Sequence, residues 1–93
     1  MDYTYNEFIV TIAKRCLDGS MKLMLSTVEW GLRTARDAFD VYAGMKERFT
    51  ESNGYHVVVD GYYMSNGCLM YNRINESELR SMSQKERIHH VVQ

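Results

Sequence analysis

Glu86-Arg87-Ile88-His89 is the one stretch whose spacing suggests metal chemistry. On a helix, an E-x-x-H step puts a carboxylate and an imidazole on one face, as di-iron carboxylate sites require. A complete site needs a second such step and two more glutamates from facing helices. The chain has no second step, so no metal ligand is assigned. The alternative role for Glu86 is a helix cap, with His89 and His90 in a solvated tail.

The two cysteines suggest little more. Cys16 falls in an apolar stripe, where an inert thiol is the usual outcome. Cys68 adjoins a turn and is the more reactive candidate, but no basic residue stands beside it in sequence. Nucleophile-elbow, phosphate-loop, dinucleotide-binding and zinc-protease motifs are all missing. The expectation is a protein without catalysis and without a cofactor.

Basic residues gather twice. Lys14, Arg15 and Lys22 form one group; Arg80, Lys85 and Arg87, with His89 and His90, form the other. Interleaved tyrosines could stack on bases. These six Lys and Arg residues are the candidate contacts for a nucleotide or nucleic-acid binding module. Asp18, Glu78 and Glu86 dilute both groups, which makes this the alternative reading.

Composition sets the frame for these residues. Eleven Lys and Arg balance twelve Asp and Glu in 93 residues. That excludes a strongly basic nucleic-acid binder and an acidic mimic of one, and leaves little charge repulsion between copies. The length suits one domain spanning residues 1–93, with a thin core. Two cysteines fall short of a secreted disulfide framework, and the opening residues lack the apolar run of a signal peptide. No apolar stretch approaches the ~18 residues of a membrane span. A cytoplasmic protein with free thiols follows as an expectation. The chain has seven Met, seven Tyr and no Pro. Met and Tyr serve adaptable or anchoring contacts at interfaces, although each can equally fill an irregular core. A compact, proline-free, motif-poor chain is also the style of small mobile-element accessory proteins, without any residue-level match to a family.

The elements that must position these residues are read as follows. Thr4 and Glu7 make a capping box for a first helix over about Tyr5–Leu17, with apolar residues at three- and four-residue spacing and Asp18-Gly19 as its stop. Ser20 caps a second, long helix. Its seam of Met21, Leu25, Val28, Leu32, Ala35, Phe39, Tyr42 and Phe49 is heptad-like. As one helix to Ser52 it would be about 48 Å long. Gly31 and Gly44 each weaken it, so a break near Gly31 is an alternative. A third reading makes Met21–Trp30 a strand, but both of its alternating sets are mixed in polarity, and the helical pattern fits better.

Ser65-Asn66-Gly67 supplies a turn, with Asn66-Gly67 as a two-residue type I′ loop, between a strand rich in β-formers at Tyr55–Val59 and a returning strand over Cys68–Ile74. Its register pairs Met64 with Leu69, Tyr62 with Tyr71, and Asp60 with Arg73 on one face. Tyr55, Val57, Val59, Tyr63, Met70 and Ile74 on the other face are the better candidates for the helix-packed side. Asn75 and Glu78 cap a C-terminal helix, which Ser83 and Glu86 could restart.

The expected fold is therefore α+β: an N-terminal helix, a long central helix, one antiparallel β-hairpin and a C-terminal helix. The functional expectation is a small non-enzymatic regulator or inhibitor that binds a protein target and self-associates through the seam or the hairpin edge. Tyr62, Met64, Leu69 and Tyr71 are its candidate contacts, because they are apolar where an outward face should be polar, and Trp30 is a fifth; the equal alternative is that the first or the C-terminal helix folds over this face and makes it core.

Overall fold

The computed structural model describes residues 5–92, with side chains described for residues 5–86. Two ββα units follow one another along the chain. The first contains β1 (Glu7–Arg15), β2 (Met21–Ser26) and α1 (Ala35–Arg48). The second contains β3 (Tyr55–Ser65), β4 (Cys68–Ile74) and α2 (Glu76–Val92), after a 3₁₀ turn at Glu51–Asn53. All four strands join one antiparallel sheet in the order β2-β1-β3-β4. The fold is α+β, but among the described residues it has two helices and four strands rather than three helices and a hairpin.

The expected N-terminal helix is the central strand β1. Ile9, Val10, Thr11 and Ile12 are four successive β-branched residues, stiff at χ1 and suited to a pleated surface. Phe8, Val10 and Ile12 alternate inward and are 3%, 0% and 1% exposed. The period is two; the helical spacing arose because the outward positions are also largely apolar. Thr4 of the expected capping box lies outside the described residues, and Glu7 opens the strand. Asp18-Gly19 turns a hairpin instead of ending a helix. Gly19 takes φ 88°, and the Asp18 carboxylate accepts the Ser20 amide at 2.9 Å and the Ser20 hydroxyl at 2.6 Å.

The long central helix is also corrected. Its first third is strand β2, and a loop leads from there to α1. The mixed alternation of Met21–Ser26 has a local cause. The pairing with β1 slips between Ile12 and Ala13, so Leu25 faces Ile12 but Leu23 faces Ala13, with Met24 as the extra residue. Such a bulge swaps the faces of a strand midway and erases a clean period of two. Gly31, at φ 66°, sits in the loop where the helix was expected to break. Of the seam, Ala35 and Tyr42 are buried on α1 with Phe39 packed against them, joined by Leu32 from the loop and Phe49 just after the helix; Met45, outside the seam, is buried with them.

The Asn66-Gly67 hairpin has the register read from the sequence. Both turn residues have positive φ, 52° and 79°, as type I′ requires. Met64 faces Leu69, Tyr62 faces Tyr71, and Asp60 faces Arg73. Val59 and Ile74, on the opposite face, are 0% and 4% exposed, and Tyr55 and Val57 pack on the core; Met70 remains 43% exposed. One core cluster joins these residues to Phe8, Val10, Ile12, α1 and Leu79 of α2.

Asn75 and Glu78 form the reciprocal cap at the start of α2, at 2.8 and 3.3 Å. The helix does not restart at Ser83; it runs unbroken to Val92. Helix α1 packs on the β1–β3 face that holds Val10 and Val59, and α2 packs against α1 and adds Leu79 to the core. On the other face Met64, Leu69 and Tyr71 are 56–64% exposed.

Candidate protein-interaction surface

Alternation and register define the open face. Tyr62 and Met64 of β3 stand beside Leu69, Tyr71 and Arg73 of β4. Pairing with β1 extends the same face through Ile9 and Thr11 to Val58. Tyr62 and Tyr71 stack with ring centroids 5.4 Å apart and an interplanar angle of 27°. Tyr71, Leu69 and Met64 are 61%, 64% and 56% exposed, so this apolar group is not sheltered by its own fold.

A single ion pair sits among them. Arg73 donates from Nε to Asp60 Oδ1 at 2.7 Å, and Asp60 is buried. The Asp60 hydrogen bond and charge hold the Arg73 guanidinium protonated more firmly than usual, against its partial burial. Burial pushes the Tyr62 phenol above its ordinary value, and the charge of Asp60 adds to that shift. Asp60 and Arg73 thus neutralise each other, and the Tyr62 phenol beside them stays uncharged at neutral pH. The face is an apolar and aromatic surface with one satisfied charge pair.

The structure brings Tyr62, Met64, Leu69 and Tyr71 together. It does not bring Trp30 to them. Trp30 lies in the loop after β2, with its amide on the Thr27 carbonyl at 2.9 Å, and β1 and β3 separate β2 from β4. Trp30 belongs to a second exposed group on the β2 side, with Leu23, Met24 and Val28 at 48–63% exposure. Ile9, Thr11 and Val58 were missed as members of the open face because Ile9 and Thr11 were assigned to a helix. The run of β-branched residues was the signal that could have found them.

The basic candidates divide between layers. Lys14 and Lys22 face each other across β1 and β2, next to Arg15. Lys14 Nζ lies 5.2 Å from the Tyr55 ring centroid, and Arg15 Nη2 lies 3.4 Å from His56 Nε2. Arg80 and Lys85 instead belong to the helix layer. The Arg80 guanidinium covers the Phe39 ring at 5.5 Å and reaches Glu76 at 3.4 Å. Arg87, His89 and His90 have side chains outside the described residues. Glu86 is committed to α1, where it accepts the Ala35 and Arg36 amides at 2.8 and 2.9 Å. Among the described residues, no group of three or more His, Cys, Asp or Glu side chains is placed to hold a metal.

A shallow groove of about 790 Å³ opens where the end of α1 meets the start of β3 and of α2. Its charged Lys46 and Glu76 pair with each other at 3.4 Å. No described helix is long and apolar enough to cross a membrane. Set against family models, curated proteins and solved structures, the chain matches none.

Proposed function

We propose that this chain is a small non-catalytic accessory protein, a regulator or inhibitor that binds a protein target on its open sheet face and associates with itself. The carrying observation is the asymmetry of the sheet. One face buries Phe8, Val10, Ile12 and Val59 beneath α1, while the other leaves Tyr71, Leu69 and Met64 56–64% exposed beside the half-buried Tyr62. A monomer gains nothing from leaving large apolar side chains in water, whereas a partner that buries them gains roughly 25 cal/mol per Å². The two thiols, unpaired in the structure, fit a reducing cytoplasm.

The test is affinity capture from host lysate with the wild-type chain and with Tyr71→Glu. Any protein retained is then purified and titrated against both. A target of the open face binds the wild type and is weakened at least tenfold by Tyr71→Glu. Equal affinity for both chains would place the interaction elsewhere.

A second reading rests on a corner of the sheet, where Lys14 and Lys22 pair beside Tyr55 on one face and Arg15 meets His56 on the other. Such a corner would take a nucleotide or a nucleic-acid phosphate. Nucleotide absorbance carried through purification, and lost on Lys14→Ala with Lys22→Ala, is its sign.

A further inference from the structure

The two edges of the sheet are unequally protected. Strand β2 is interrupted by the bulge at Met24 and carries Lys22, two devices that discourage strand addition. Strand β4 has neither. Its register with β3 is unbroken from Ser65↔Cys68 to Val59↔Ile74, and it contains no Lys and no Pro. Its one charge, Arg73, is already neutralised by Asp60.

The type I′ turn also fixes which backbone groups are free. In a two-residue hairpin the residues flanking the turn, Ser65 and Cys68, exchange hydrogen bonds, and the pattern alternates from there. Cys68, Met70 and Asn72 therefore bond to β3. The N–H and C=O groups of Leu69, Tyr71 and Arg73 point outward from the sheet edge, and their side chains lie on the open face.

We infer that β4 is a homodimerisation edge, joining a second copy in antiparallel register with Met70 on the two-fold axis. This rests on the self-association within the proposed function and specifies its surface. The register sets Leu69 against Tyr71 of the second copy, and Tyr71 against its Leu69. Two aliphatic–aromatic pairs form, with about four backbone hydrogen bonds between the outward groups. Arg73 falls opposite Gly67 of the second copy, where no side chain opposes it. The buried Ile74 stays outside the pairing. The contact is isologous, as closed dimers require, and it joins the two open faces into one continuous surface.

The register is tested by cross-linking in a Cys16→Ser, Cys68→Ser background. Met70→Cys then lies opposite itself in a non-hydrogen-bonded pair, with Cα atoms about 4.5 Å apart, inside the range a disulfide spans. Mild oxidation should give a linked dimer for Met70→Cys and none for Leu23→Cys on the β2 edge. Light scattering should show a dimer for the wild type. Leu69→Pro should weaken the dimer at least tenfold while circular dichroism stays native, because the lost N–H faces solvent in the monomer. A monomeric wild type, linkage through Leu23→Cys, no linkage through Met70→Cys, or a dimer unaffected by Leu69→Pro each overturns the inference. A monomer that still binds its target through Tyr71 separates this failure from failure of the protein-binding reading.

Discussion

Glu86 Oε2 accepts the amide of Ala35 at 2.8 Å, a contact that spans 51 residues and ties the last helix to the start of the first. The same carboxylate takes the Arg36 amide through Oε1 at 2.9 Å. Thr34 serves the next amide, that of Asp37, at 3.1 Å, and the Ala38 amide reaches the Thr34 carbonyl at 3.1 Å. The first three amides of α1 are thereby satisfied by side chains and the fourth by the first helical bond, with a negative charge at the positive end of the helix dipole. The helix layer is held together at this point by a polar contact as well as by packing.

Replacing Glu86 with Ala strands two amides and removes that charge. Hydrogen bonds to charged groups contribute about 1.5–3 kcal/mol each, and water recovers part of that at this half-buried site, so a net loss of about 2 kcal/mol is expected. Thermal denaturation should show a fall of about 10 °C for a domain of this size. Glu86→Gln, which keeps one acceptor without the charge, should lose less.

Gly61 is the position where the sheet cannot carry a side chain. An added Cβ would stand 2.6 Å from Tyr5 Cδ1 and 2.8 Å from Ile74 Cδ1. Tyr5 lies over this glycine and meets Phe8 and Tyr63 edge-on, at 5.6 and 5.9 Å. Gly61→Ala should cost about 1–3 kcal/mol by overpacking. In a Tyr5→Ala background the same change should cost clearly less, measured by a denaturant double-mutant cycle.

Thr27, fully buried, continues the ladder beyond β2 with its side chain. Its Oγ1 accepts the Val10 amide at 2.8 Å, and its own amide reaches the Val10 carbonyl at 3.0 Å. Thr27→Val keeps the shape but leaves the Val10 N–H buried without a partner. The expected loss is about 1–3 kcal/mol by urea denaturation, and Thr27→Ser should retain most of the stability.

The raised Tyr62 phenol predicts a pH dependence. The folded state holds this proton more tightly than the unfolded chain does, so the contribution of Tyr62 is complete below the ordinary tyrosine value, about pH 10, and is lost as pH rises above it. Ultraviolet difference titration should show one late phenol ionisation that disappears in Tyr62→Phe. Stability should also fall less steeply at alkaline pH in that variant.

The hairpin was legible because its information is local. Asn66-Gly67 selects the turn, the turn fixes the pairing, and the pairing sets Tyr62 beside Tyr71 and Asp60 beside Arg73. The same holds for the Asn75–Glu78 cap. The Asp18-Gly19 turn carries the same kind of signal, but it reads as a strand turn only once its flanks are recognised as strands.

The sequence by itself determined two features: an α+β chain and a hairpin register that gathers Tyr62, Met64, Leu69 and Tyr71 on one face. The tertiary structure decided the rest. It made Phe8–Ile12 the centre of a sheet, because only pairing with β2 and β3 distinguishes a β-branched run with apolar residues on both faces from a buried helix. It cut the long seam at Gly31, because a bulge and a positive φ redirect the chain where periodicity alone would continue it. It also placed α1 on the Val10–Val59 side of the sheet with α2 packed against it, which leaves Leu69 and Tyr71 exposed on the other side.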